Sequence, residues 1–272
     1  MSKLAQFQDM SFTFNGQSSD NYRIVNVQNT RENELGLKKS IQEVDNDNVT
    51  KTFTGIKYEE FSFTIDIMKM EQTTSATDTV MYKPIKMDKA DFNYLNRWLM
   101  RPKDYRQFIS EQDPDIIYYV IFTDMRETQI GNYNYVTLTM RLNAGFAYST
   151  VQYDEFNDVS GSKTITLSTH STVDEYIYPD IEIVMQGGTS VSIKNNTLNE
   201  TMSLTGLTDG YTYICYNEDM KYIKCVDDET VNMRNKFNKV WLRLNGYGED
   251  SITITGNCKI KIYFQNKLAI QH

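Results

Sequence analysis

Along much of the chain bulky apolar residues take every second place, the period of a strand with one buried face. Phe61, Phe63, Ile65 and Ile67 alternate with Ser62, Thr64 and Asp66, and Val136, Leu138, Met140 and Leu142 alternate with Thr137, Thr139 and Arg141. Phe12 and Phe14, then Tyr22 to Val27, read the same way near the start. In the last third so do Ile181 and Ile183, Val191 and Ile193, Val240, Leu242 and Leu244, Ile252 and Ile254, and Ile260, Ile262 and Phe264. Gly256-Asn257 lies between SITIT and CKIKIYF and can supply the positive φ of a two-residue turn, so a tight hairpin is expected there. Asn15-Gly16 is a second turn candidate; with the next strand placed from Tyr22, a longer loop is expected after it.

One segment departs from this period. Asp88 can cap a helix that carries Phe92, Leu95 and Leu99 on one face, with Trp98 beside them and Pro102 ending it. The polar run Gln72 to Thr79 reads as a loop or the tip of a long hairpin. From Ser149 to Asp174 the chain is poor in large aliphatics and contains Ser160-Gly161-Ser162, and the domain boundary is placed within it. The expected fold is therefore mostly β, with an N-terminal α+β domain over 1–150 that holds one helix and a C-terminal all-β domain over 151–272. No internal repeat of fixed period is present.

Composition narrows the function. A chain of 272 residues can bury roughly 70–75% of the surface its unfolded form exposes, so it needs neither disulfide nor metal to hold a core. Its longest strongly apolar run, Ile116 to Phe122, is far short of the roughly 20 residues of a bilayer-spanning helix. Met1 to Met10 has one lysine and no apolar block, so a chain without a secretory signal that stays in the cytoplasm is expected. Three cysteines at unrelated spacings, Cys215, Cys225 and Cys258, form neither a CxxC pair nor an even framework, and free structural thiols are the reading. With His170 and His272 as the only histidines, there is little material for a histidine base or a zinc site. The charge, 28 − 36 = −8, is spread as 17 − 20 = −3 before residue 150 and 11 − 16 = −5 after it, which opposes gripping nucleic acid through its phosphates.

The remaining chemical candidates are weak. Asp45-Asn46-Asp47-Asn48 and Asp227-Asp228-Glu229 offer carboxylates for calcium, yet neither has the glycine and distal glutamate of an EF-hand loop, and solvated turns are the ordinary reading. Cys215 and Cys225 flank a hairpin whose turn, placed at Glu218-Asp219, pairs Cys215 with Tyr222 and keeps the two thiols apart. The sequons at Asn48, Asn195 and Asn199 carry no meaning without secretion, and the 13 glycines form no nucleotide-binding loop. Trp241 and nine of the 19 tyrosines could stack sugar rings on the second domain, but Trp241 alternates with Val240 and Leu242, as core or interface aromatics do. No catalytic, cofactor-binding or metal-binding position is nominated, and a non-enzymatic protein without cofactor is expected.

The order of features resembles the distal tail protein (Dit) family of long-tailed bacteriophages and related prophage particles. The resemblance is carried by Ser11-Phe12-Thr13-Phe14-Asn15-Gly16, Tyr22-Arg23-Ile24-Val25-Asn26-Val27, the Phe61 to Met68 strand and the helix Phe92 to Leu99 before Pro102. It continues through Tyr118 to Phe122 and Tyr135 to Leu142, which look like the paired strands of the family's ring-forming domain. Pro179-Asp180-Ile181-Glu182-Ile183 looks like the entry to its C-terminal sandwich, and Leu244-Asn245-Gly246 with Ser251-Ile252-Thr253-Ile254 closes the set.

The resemblance spans nearly the whole chain but consists of fold residues. It implies a tail-tube-like N-terminal β-sandwich with one helix and a galectin-like C-terminal sandwich, in the short form without an inserted carbohydrate-binding module. It also implies a structural virion protein: a hexameric ring at the tail tip, linking the tail tube protein above to a tail-associated fibre or lysin protein below and to receptor-binding or baseplate proteins. DNA would pass through the lumen without specific binding, there would be no membrane partner, and assembly would take place in the bacterial host cytoplasm. A mildly acidic lumen that repels DNA fits −8 per chain, although acidic surfaces also serve simple solubility. The alternative from another class is a carbohydrate-binding host-recognition module. A tail-tube protein is a nearer rival, against which the second all-β domain weighs.

Overall fold

The structure is a computed structural model that describes residues 11–27, 39–45, 51–58, 62–74, 80–217 and 221–269. The chain forms two compact units, Met1–Tyr148 with Ala269–His272, and Ser149–Leu268. Both are built from antiparallel strands, and the described residues contain one α-helix.

The N-terminal unit contains β1 (Phe12–Phe14), β2 (Gln17–Ser18), β3 (Ile24–Asn26), β4 (Lys39–Asp45), β5 (Lys51–Tyr58), β6 (Ser62–Thr74), β7 (Val80–Ile85), β8 (Arg106–Ser110), β9 (Ile116–Ile130), β10 (Tyr133–Leu142) and the start of β11 (Ala147–Ser149). Its main sheet runs β2-β1-β8-β9-β10-β6-β3, with β7 also on β6. Period-two alternation delivers the core: Val136, Leu138, Met140 and Leu142 are all buried, as are Ile65 and Ile67 opposite them. Phe61 lies outside the described residues, as do 75–79, although the pairing of Thr74 with Val80 makes β6 and β7 the two arms of a hairpin around them.

Helix α1 (Lys89–Leu95) begins at Asp88, whose carboxylate accepts from the Ala90 and Asp91 N–H groups while Asp91 Oδ2 accepts from Asp88 N–H, a reciprocal capping box. These N–H bonds hold the Asp88 carboxyl below the usual carboxylate range. Asn134 of β10, fully buried, fixes the approach: its Oδ1 accepts from Met87 N–H at 2.7 Å and its Nδ2 donates to Met87 O at 3.1 Å. After Leu95 the helix widens into one π turn, Asn96–Met100, which carries Trp98 and Leu99 into the core. The Trp98 ring lies parallel to Phe12 at 5.6 Å, and its Nε1 donates to Phe14 O at 3.2 Å.

Near the start, the structure departs from the loop expected after Asn15-Gly16. Those two residues, with φ of 50° and 75°, make a two-residue turn that pairs Phe14 with Gln17 at once. A 3-10 turn, Ser19–Tyr22, then delays the next strand to Ile24.

The C-terminal unit contains β12 (Gln152–His170), β13 (Asp180–Met185), β14 (Ser190–Asn195), β15 (Glu200–Thr205), β16 (Thr212–Tyr216), β17 (Tyr222–Cys225), β18 (Tyr247–Phe264) and β19 (Lys267–Leu268). The sheet order is β15-β14-β18-β13-β16-β17, with β12 along the other edge of β18. Most of the serine- and threonine-rich segment after Ser149 is therefore the long strand β12, paired with β18 from Gln152–Phe264 to His170–Tyr247. It can be so polar because, apart from Val159, Leu167 and Thr169, it buries almost nothing.

The hairpin expected at Gly256-Asn257 does not form, and β18 runs straight through. Its first part pairs with β14 (Ile252 to Thr255) and its second with β13 (Cys258 to Tyr263), so one strand joins two half-sheets whose buried residues form a single core. Gly256, at φ 145°, is the pivot: a Cβ there would stand 2.9 Å from Ser190 O and 3.1 Å from Val191 Cγ2. Gly256→Ala is expected to lower stability by about 1–3 kcal/mol, read as a reduced urea midpoint at unchanged slope. A wild-type midpoint would show that the strands do not meet so closely.

Val240 to Leu244, expected as a strand, has no ladder of its own. Leu242 and Leu244 are buried as the alternation requires, but apart from the bridge between Ile177 and Leu244 the backbone is held by side chains. Asn217 Nδ2 donates to Leu242 O at 2.8 Å and Asn195 Nδ2 to Arg243 O at 2.9 Å. Asn195 also donates to Asp250 Oδ1 at 2.9 Å, and Asp250 accepts from Asn245 N–H at 2.7 Å and Asn245 Nδ2 at 2.8 Å. Asp250 and Asn195 are both fully buried, so this clasp closes the loop between Leu244 and β18 from inside the fold.

Candidate functional site

The cysteines, acids and aromatics singled out by composition go to separate places. Cys215, Cys225 and Cys258 are free and buried. β16 and β17 pair Cys215 with Ile223 and Tyr213 with Cys225, one residue out of the register expected from a turn at Glu218-Asp219, which lies outside the described residues. Residues 213, 215, 223 and 225 thereby all face the core, while Tyr222 is exposed. Burial, with Asp180 nearby, drives the Cys215 thiol far above its ordinary value, and burial pushes Cys258 up to about 11, so both stay protonated at neutral pH.

In the second acid cluster each carboxylate has a structural task. Asp227 Oδ2 accepts from Thr212 N–H, Asp228 Oδ1 caps Thr230, and Glu229 pairs with Lys224 at 2.8 Å. Of the first cluster, Asn46 to Asn48 lie outside the described residues. Among the described residues no three His, Cys, Asp or Glu side chains converge as metal ligands would, and no helix is long and apolar enough to cross a membrane.

Trp241 is half-buried, tilted against Phe237 at 4.6 Å and packed on the C-terminal core. Both rings line a groove of about 630 Å³ that β17 also lines. Among the described residues its lining holds Lys221, Lys224, Arg234 and Lys239 and one acid, Glu229. A groove lined by aromatic rings and cations suits an anionic ligand.

In the N-terminal unit the feature that asks for a partner is the pair β4 and β5. They form a two-stranded sheet by themselves, from Lys39–Tyr58 to Asp45–Lys51, with a bulge between Gln42 and Glu43 and Thr54 Oγ1 donating to Gln42 O. Ile41 is 63% exposed and Phe53 60% exposed. A lone two-stranded ribbon is marginal in water, and bare aliphatic and aromatic side chains on it add no internal packing. The sequence does not announce these two residues as a surface: KSIQEVD and KTFTGIKY alternate weakly, and nothing in either run says that its apolar positions stay uncovered.

A family model described as a phage tail protein N-terminal domain matches residues 7–144, and one described as a phage tail C-terminal domain matches residues 146–264. No curated protein matches. Among solved structures, the crystal structure of SPP1 Dit (gp 19.1), presented as a paradigm of the hub adsorption apparatus of phages that infect Gram-positive bacteria, matches with a TM-score of 0.67 at 12% identity. The match covers 94% of this chain and 98% of that one, a likeness of fold that takes in both units.

Proposed function

The chain belongs to the phage tail protein family whose N-terminal domain matches residues 7–144, and from that premise we propose that it is the distal hub of a phage tail, a hexameric ring. In this reading the domain 1–150 forms the ring and the domain 151–272 projects from it as a galectin-like sandwich. The tail tube protein docks on one side, and a fibre or lysin protein with the baseplate or receptor-binding proteins on the other. DNA passes through the lumen without specific contacts, assembly takes place in the host cytoplasm, and the work done is geometric rather than catalytic.

The observation that carries the reading is the β4–β5 ribbon with Ile41 and Phe53 bare. In a closed ring each copy offers the same ribbon to its neighbour, so one solution to an exposed edge serves all six and leaves no free end. The fold shared with a hub protein across both units supports the same reading.

The test is negative-stain electron microscopy and light scattering of the full chain at micromolar concentration. Six-fold rings are expected, six copies of a 31.7 kDa chain or about 190 kDa. The double substitution Ile41→Lys and Phe53→Lys is expected to leave folded monomers, since it places charge where apolar contact is needed. Rings that survive the double substitution would remove the ribbon from the interface, and a wild-type chain that stays monomeric would overturn self-assembly.

A further inference from the structure

β17 is the last strand on its side of the C-terminal sheet. Successive side chains of a strand point to opposite faces, yet residues 221–225 all line the groove, so the groove lies along the free edge of β17 rather than over either face. The ladder says which backbone groups look into it. Val226 N–H donates to Thr212 O at 2.9 Å, and hydrogen-bonded pairs alternate along an antiparallel ladder. The N–H and C=O groups of Tyr222 and Lys224 therefore turn to β16, and those of Ile223 and Cys225 turn outward, into the groove.

Val231, Phe237 and Trp241 line the same groove and give it apolar side chains beside that open edge. Among the described residues the lining carries four cations and one acid, in a chain of net charge −8. Lys224 is engaged by Glu229 and Lys221 lies over the Tyr178 ring at 5.0 Å, and beyond these the described lining carries Arg234 and Lys239. Tyr222, at the start of the strand, is half exposed and would be covered by anything lying there.

The geometry points to one occupant: an extended, acidic peptide segment of another protein, which adds as a strand beside β17 and sets its carboxylates against Arg234 and Lys239. A glycan could meet the charges and the Trp241 ring, but only a peptide backbone answers the outward groups of Ile223 and Cys225 in register. The inference does not depend on the ring: a monomer would carry the same edge.

The experiment uses the full-length chain and a fluorescent synthetic decapeptide of alternating threonine and glutamate. Saturable binding is expected, with slowed amide exchange confined to residues 221–226. Methylating every second backbone nitrogen of the peptide, in the phase that faces β17, should weaken binding at least about tenfold, because those N–H groups can no longer donate. Arg234→Glu with Lys239→Glu, both at exposed positions, should weaken it to a similar degree without lowering thermal stability. The proposal is overturned if the peptide does not bind, if both methylation phases bind as well as the parent, or if the charge reversals change nothing.

Discussion

Asp250→Ala is expected to destabilise the C-terminal unit by about 3–5 kcal/mol, because it removes a fully buried acceptor shared by three N–H groups, one of them on buried Asn195 and two on half-buried Asn245. Asn245 N–H, Asn245 Nδ2 and one hydrogen of Asn195 Nδ2 would face a methyl group instead of a carboxylate, at a fully buried position. Asp250→Asn should recover little, since an amide offers one oxygen and turns its own N–H groups toward donors. Urea unfolding followed by near-ultraviolet circular dichroism measures both. A midpoint for Asp250→Ala within about 1 kcal/mol of the parent would mean that the clasp is not what closes the loop before β18.

Trp98→Ala should cost the N-terminal unit a similar amount, about 3–5 kcal/mol, by a different route. The indole fills the space between the helix and the sheet: it lies parallel to Phe12, meets Phe14 edge-on at 6.5 Å, and contacts Tyr22 and Tyr94 at 5.8 and 5.9 Å. Its Nε1 also donates to Phe14 O, a hydrogen bond that a smaller residue loses. Trp98→Phe should keep most of the packing and lose the hydrogen bond, for about 1–2 kcal/mol. If the alanine and phenylalanine variants unfold at the same midpoint, the ring stack contributes nothing and the helix is not docked through it.

The two residues differ in how far the sequence announces them. Trp98 stands beside Leu95 and Leu99 on a capped helix, and the cap, the apolar face and Pro102 are all local signals. Asp250 looks like any surface acid, because its burial depends on Asn195 and Asn245 arriving from elsewhere in the chain. The same division runs through the strands. Alternation assigns buried faces correctly even where regular pairing is missing, as at Leu242 and Leu244. It fails on connections when turn chemistry is read without the parity of its flanks. A two-residue hairpin at Gly256-Asn257 would set Ile254 opposite Lys259, whereas Ile252, Ile254, Cys258, Ile260 and Ile262 share one parity and belong to a single strand. The same test applied to Cys215 and Ile223 gives the observed β16–β17 register. The exposed ribbon and the open edge of β17 are out of reach of any such test, since an uncovered surface is a property of the assembled fold and leaves no period in the chain.

The position of β18 also fixes when the C-terminal unit can fold. This strand holds β12, β13 and β14 together, and all three precede it in the chain. During synthesis β14 can pair with β15 and β13 with β16 beforehand, but β12 has no strand partner until β18 emerges, Gln152 waiting for Phe264. A chain interrupted within β18 would leave β12 without its partner and one edge each of β13 and β14 open, a condition that favours aggregation of nascent β proteins.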